Sequence, residues 1–217
     1  MIRAKICCIS SEAEARIAVR HGASLLGFVS AMPSGPGVVD EDTIARVVPT
    51  VPVGVTTVLL TSRVAAADIA EQQRRCGTQA IQLVDAPEAG ALAALRRVLP
   101  GIRLLQVIHV RGPGSVDEAR AAAADAHALL LDSGNPDLAR KELGGTGRVH
   151  DWSISRRIVE SVSVPVFLAG GLTPENVEEA IDRVRPFGVD VCSGVRTDGD
   201  LDEDKVSRFL DAARCGV

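Results

Sequence analysis

V-P-V-F-L-A-G-G-L-T-P-E-N-V, residues 164–177, decides how this chain folds. An apolar run ends abruptly in Gly170 and Gly171. Thr173 then reads as a helix N-cap and Pro174 as a first helical position. The stretch predicts a buried parallel strand, a glycine turn and a helix start. Glycines there let backbone N–H groups face outward, and a helix N-terminus adds partial positive charge. That combination suits an anion such as a phosphate, although a ligand-free βα turn can carry the same letters. A second stretch, G-V-D-V-C-S-G at residues 188–194, is again an apolar strand, closing on Ser193 and Gly194. It lies one βα unit further on. In a (β/α)8 barrel the loops after strands 7 and 8 commonly build a joint phosphate site. Gly170, Gly171, Ser193 and Gly194 are therefore the candidate phosphate-binding residues, provided that six βα units precede them.

Strand and helix patterns do alternate from the start. Strands are expected over 3–9, 24–29, 53–60, 80–84, 102–110, 128–132, 164–169 and 188–192. Helices are expected over 11–21, a short stretch from Asp40, 64–75, 87–98, 115–126, 153–161, 174–184 and 201–213. Strands rich in Val, Leu and Ile with little alternation fit a parallel sheet covered on its outer face. The expected fold is α/β: a single (β/α)8 TIM barrel over residues 1–217, with a long loop after strand 6. An open doubly wound sheet is the structural alternative.

Composition narrows the function. The 217 residues suit one domain, and the formal net charge is −4 without any block of Lys or Arg. Aromatic residues make up 2% of the chain, so base stacking or a basic stripe for nucleic acid is not expected. No apolar run approaches the roughly 20 residues of a membrane span, and the start lacks the pattern of a signal peptide. The expectation is a cytoplasmic protein, monomer or homodimer, with no nucleic-acid or membrane partner. Five scattered cysteines argue against a disulfide framework. No Cys or His spacing suggests a metal, and the four histidines read as surface or satisfied side chains.

In a barrel, active-site groups sit at the C-terminal ends of strands. Strand 1 ends in Cys7 and Cys8, of which alternation lets only one face the mouth. A thiol there can act as base or nucleophile, or be an inert buried hydrophobe. Strand 6 ends in L-L-L-D-S, and burial would raise the pKa of Asp132 and favour an acid role. Asp132 can equally serve as a turn residue. A thiol and a carboxyl facing each other across the mouth can take a proton off one atom and deliver one to another, which is isomerase chemistry. The connection 133–151 is the longest in the chain and holds Gly144, Gly145, Thr146 and Gly147, a candidate lid.

The motifs K-I-C-C-I-S (5–10), G-A-S-L-L-G-F-V (22–29) and L-L-L-D-S (129–133) resemble phosphoribosylanthranilate isomerases. So do G-G-T-G-R-V-H-D-W (144–152), L-A-G-G-L-T-P-E-N-V (168–177) and G-V-D-V-C-S-G-V (188–195). The similarity spans nearly the whole chain. It implies a (β/α)8 barrel that carries out an Amadori rearrangement of a phosphoribosylamine in tryptophan biosynthesis, with a small phosphorylated sugar as substrate and no cofactor. It places a general base at Cys7, a general acid at Asp132, and phosphate on the backbone of Gly170, Gly171, Ser193 and Gly194.

Departures from the family pattern cluster elsewhere. The usual Cys-Gly is Cys7–Cys8, and Gly37 stands where an arginine supports the anthranilate end. Val84 replaces a histidine near the site, Thr61 an asparagine, and Arg196 an acidic residue. Arg103, Arg111 or Arg196 could compensate if the fold brings one of them to that side. Two other readings follow from these departures: a relative acting on another phosphoribosyl amine, and a non-catalytic phosphosugar-binding protein.

Overall fold

The computed structural model describes residues 2–33, 35–138, 141–143 and 147–216. Eight parallel strands close into a barrel in chain order: β1 (Arg3–Ile6), β2 (Leu25–Val29), β3 (Thr56–Thr61), β4 (Ala80–Leu83), β5 (Arg103–His109), β6 (Ala128–Asp132), β7 (Val166–Leu168) and β8 (Gly188–Val191). The seam pairs β1 with β8, Lys5 opposite Asp190 and Ile6 opposite Val191. Alternation sorts each strand into two faces. Ile6, Leu26, Phe28 and Leu59 point out to the helices, while Cys7, Val29, Val58, Leu60 and Phe167 fill the barrel. Continuously apolar strands are what burial on both faces demands.

Eight helices surround the barrel: α1 (Glu12–Arg20), α2 (Glu41–Val47), α3 (Ala66–Cys76), α4 (Ala91–Val98), α5 (Ser115–Ala123), α6 (Trp152–Ser161), α7 (Val177–Val184) and α8 (Glu203–Cys215). Their starts are written in local side chains. Ser11, Asp40, Asp151 and Asp202 each accept a bond from a first-turn N–H. α7 shows the packing logic: Val177, Ala180, Ile181 and Val184 recur at helical spacing and are all buried. Each fully buried Val or Ile contributes about 1.5–3 kcal/mol.

Three expected boundaries move for identifiable reasons. α7 starts at Val177 and not at Pro174, because the preceding residues bond among themselves. Asn176 Oδ1 accepts from Thr173 N at 2.8 Å and Thr173 Oγ1 accepts from Glu175 N at 3.2 Å, making a turn in place of a helical one. α4 starts at Ala91, after Gly90 with φ +78°. The last helix starts two residues late because a hairpin, β9 (Arg196–Thr197) and β10 (Asp200–Leu201), intervenes after β8. Among the described residues no helix is long and apolar enough to cross a membrane.

Candidate active site

The C-terminal mouth of the barrel holds a cavity of about 600 Å³, entrance included. Cys7, Asp132, Gly170 and Ser193 all line it. Gly171 and Gly194 adjoin it without lining it. The structure therefore gathers residues from β1, β6 and the β7 and β8 turns into one space. Of the candidate lid, Gly144, Gly145 and Thr146 lie outside the described residues. Gly147 brings the loop back to the mouth, within 4.0 Å of Ser193 Oγ measured from its Cβ direction.

The floor of the cavity contains a cluster absent from the sequence reading. Lys5, two residues before Cys7 on the inward face, is fully buried. Its Nζ donates to Asp190 Oδ2 at 2.9 Å and to Cys7 Sγ at 3.5 Å. Burial works against the lysine charge, but Asp190 and Cys7 together outweigh it and hold its pKa above the ordinary value. An isolated buried cation costs several kcal/mol, so the pair with Asp190 is what permits Lys5 there. Burial pushes the Cys7 thiol up to about 11, against the pull of Lys5. Asp190 lines the cavity, and its Oδ1 has no hydrogen-bond partner among the described residues. A buried carboxylate oxygen facing an open cavity is an acceptor available to a ligand hydroxyl.

Asp132 ends β6 and is 8% exposed. Burial raises its pKa; the Ser133 N–H, which donates to Oδ1 at 2.7 Å, and neighbouring His109 lower it less. The net direction favours the protonated carboxyl, the form that can donate. His109 pairs with Asp132 across β5–β6 and its Nε2 meets Val84 O at 3.0 Å. Two of the four histidines thus lie beside the site, His109 buried and His150 half-buried. The second, His150, bonds Ser155 Oγ at 2.7 Å, and burial lowers its pKa to about 4.

The corner where anion binding is expected is built from close backbone approach. Gly170 and Gly171 have φ +81° and +65°. A Cβ on Gly171 would sit 2.7 Å from the Arg148 carbonyl carbon, so the β7 turn can only be glycine where it meets the returning loop. After β8, a single 3-10 turn spans Ser193–Val195.

The expectation against disulfides is corrected. Cys8 is bonded to Cys192 across 184 residues, with Cα atoms 5.9 Å apart. Barrel closure brings the ends of β1 and β8 together, and linear spacing cannot show that. Cys8 itself adopts φ +66°. Its carbonyl accepts from Arg196 Nη2, and Arg196 also pairs with Glu14 at 2.8 Å. Arg196 is thereby engaged behind the mouth. Arg103 is exposed at the far end of β5, and Arg111 pairs with Asp137 on the surface. None of the three suggested substitutes enters the cavity. Its remaining wall, from β2 to β4, is Val29, Met32, Gly35, Pro36, Leu60 and Val84, with Gln82 as its polar group. Thr61 is buried and its hydroxyl accepts from Arg63 N.

Comparison with known proteins follows this geometry. Residues 4–212 match the family model described as N-(5'-phosphoribosyl)anthranilate (PRA) isomerase. A relative from Methanosarcina mazei, N-(5'-phosphoribosyl)anthranilate isomerase 2, is 37% identical over 98% of this chain and 94% of its own. One of the same name, unnumbered, from Haloarcula marismortui is 37% identical over 99% of this chain and 97% of its own. Among solved structures, phosphoribosyl anthranilate isomerase from Thermotoga maritima superimposes with a TM-score of 0.85 at 28% identity, covering 99% of this chain and 100% of that one.

Proposed function

The chain belongs to the N-(5'-phosphoribosyl)anthranilate isomerase family, and we propose that Cys7 and Asp132 carry out the family's rearrangement in this mouth. The chain is an isomerase of phosphoribosylanthranilate, and that activity belongs to tryptophan biosynthesis. The substrate is an N-glycoside of ribose 5-phosphate and the product a 1-amino-1-deoxyketose. Asp132, held protonated by burial, delivers a proton to the ring oxygen, and the ring opens to an iminium. Cys7 removes the proton on C2, which the iminium has acidified. The resulting enolamine gains a proton at C1 and loses one from the C2 hydroxyl, giving the ketone. Atoms balance without any oxidant or cofactor.

The single observation that carries this assignment is that a buried thiol directly after β1 and a buried carboxyl at the end of β6 line one cavity. Lys5 supports it as a positioning residue. Its ammonium, 3.5 Å from Cys7 Sγ, stabilises a thiolate that burial otherwise opposes. Asp190 Oδ1 is positioned to accept from a ribose hydroxyl. The phosphate is assigned to the backbone of Gly170, Gly171, Ser193 and Gly194, with the short turn at Ser193 in place of the helix expected at Pro174. The test is turnover of N-(5'-phosphoribosyl)anthranilate by wild type and Cys7→Ala. Loss of at least about 10²-fold in kcat, with binding of a reduced product analogue kept, is the expected result. Activity within a few-fold of wild type removes Cys7 as the base.

A further inference from the structure

We propose that the Cys8–Cys192 disulfide is a thiol-exchange site set in the wall of the catalytic cavity, with a low-molecular-weight thiol as its reaction partner. The proposal rests on the reading of this cavity as the substrate site. The bond joins the residue after the base Cys7 to the residue before Ser193 of the phosphate corner, so it ties together the two parts of the machinery on the β1–β8 seam. Both sulfur-bearing residues line the cavity.

Three observations set the chemistry. Cys8 stands in the left-handed region at φ +66°, where glycine is favoured, and its backbone is pinned by Arg196. Gly37 covers it closely: a Cβ on Gly37 would come within 2.5 Å of Cys8 Cβ. Cys8 is 3% exposed, whereas Cys192 is half-buried and reached through the mouth. An incoming thiolate therefore attacks Cys192 Sγ. The S–S bond breaks, Cys8 leaves as a thiolate, and the thiol becomes joined to Cys192 inside the cavity, beside Ser193. A second thiolate attacks the exogenous sulfur of that mixed disulfide. Cys192 is released as a thiolate, and the two small thiols depart as their own disulfide, two electrons having passed to the protein. Both new thiolates then take up protons. The mixed-disulfide state fills substrate space. The reduced state releases the tie between base and phosphate corner.

The experiment uses the full chain purified in air without reductant, exposed to graded reduced glutathione, quenched with N-ethylmaleimide and read by peptide mass. Buried Cys76 and exposed Cys215 are internal references. The expected result is a glutathione adduct on the Cys192 peptide with Cys8 alkylated, in the folded protein at millimolar thiol. Inorganic phosphate should protect. Phosphoribosylanthranilate turnover should change several-fold in KM on reduction, and Cys8→Gly should be insensitive to thiol. Cys8 and Cys192 both alkylated before any thiol is added would overturn the proposal. So would a bond that yields only when the protein is unfolded, or an adduct with unchanged KM. Wild type inactive in both redox states, with the exchange still mapped to Cys192, would instead overturn the catalytic reading.

Discussion

The two halves of the mouth are built on opposite principles. From β6 round through β7 and β8 to β1, the wall is polar: Asp132, the glycine turn, Asp190 and Cys7, with Lys5 buried behind them and a disulfide across the seam. From β2 to β4 it is Val29, Met32, Pro36, Leu60 and Val84, with no Lys or Arg among the described lining residues. The first half is fixed by hydrogen bonds and ion pairs whose loss leaves buried charges unpaired, an error costing about 3–5 kcal/mol. The second half is apolar apart from Gln82, and apolar walls tolerate exchange. Two departures from the family pattern line the cavity, Val84 in the apolar half and Cys8 on the β1–β8 seam, and Gly37 packs against Cys8 from the β2 side. In the polar half Cys7 and Asp132 keep the family pattern, and Cys8 alone of its named positions departs from it.

The largest expected effect tests whether the polar half carries the chemistry. Asp132→Asn preserves size and the bond from Ser133 N but removes the donatable proton. kcat should fall by about 10²–10⁴ with KM little changed. A near-normal kcat in folded protein would break the assignment of roles to the two halves.

The second effect is a pH dependence confined to the same half. His150 has a folded pKa of about 4 because it is buried, against an ordinary 6.5. Its folded pKa is depressed, so its stabilising share is complete above pH 6.5 and is lost as pH falls towards 4. Linkage puts the total at no more than about 3 kcal/mol. Asp132 works in the other direction, since its raised pKa favours the folded state as pH falls. Comparing wild type with His150→Gln cancels that contribution. Urea unfolding between pH 7 and 4 should show a steeper loss in wild type than in the variant. Parallel curves would remove His150 as the source.

Much of the polar half was readable in the letters. Apolar runs that stop at Cys7, Asp132, Gly170 and Ser193 announce strand ends, and strand ends are where a barrel keeps its chemistry. β6 came out with the expected bounds, 128–132, because Ala-His before it and Asp-Ser after it are sharp breaks. Lys5 and Asp190 were missed because a charge inside a strand reads as a defect until its partner is known. Their partner lies 185 positions away, across the closure of the barrel. The spacing Lys5–Cys7 on one strand face was the available signal. Cys8–Cys192 is hidden for the same reason. The late start of α7 depends on side-chain bonds of Thr173 and Asn176, which compete with a helix on nearly equal terms.

The smallest effect sharpens the comparison at the point where the halves touch. The family resemblance implies an arginine at position 37 and a glycine at position 8, and this chain has Gly37 and Cys8. These two differences are one event in space. A Cβ at position 37 would lie 2.5 Å from Cys8 Cβ, closer than such atoms approach in folded proteins, and a tight 3.2 Å from Cys8 Cα. Cys8 has taken the room that a side chain at 37 would need. Gly37→Arg alone should therefore fail to improve substrate binding and should destabilise the β2 loop, all the more because Gly37 has φ +70°. Cys8→Gly removes the obstructing Cβ, and its own φ of +66° suits glycine. In the double variant, an arginine at 37 gains access to the carboxylate end of phosphoribosylanthranilate. A charge-assisted contact is worth about 1.5–3 kcal/mol, and a partial gain of about 1.4 kcal/mol lowers KM tenfold. That gain should appear in KM rather than kcat, since ground state and transition state carry the same carboxylate. A double-mutant cycle on KM thus predicts strong coupling between positions 8 and 37. Additive effects, or an improved KM in Gly37→Arg alone, would show that the apolar half varies independently of the seam beside it.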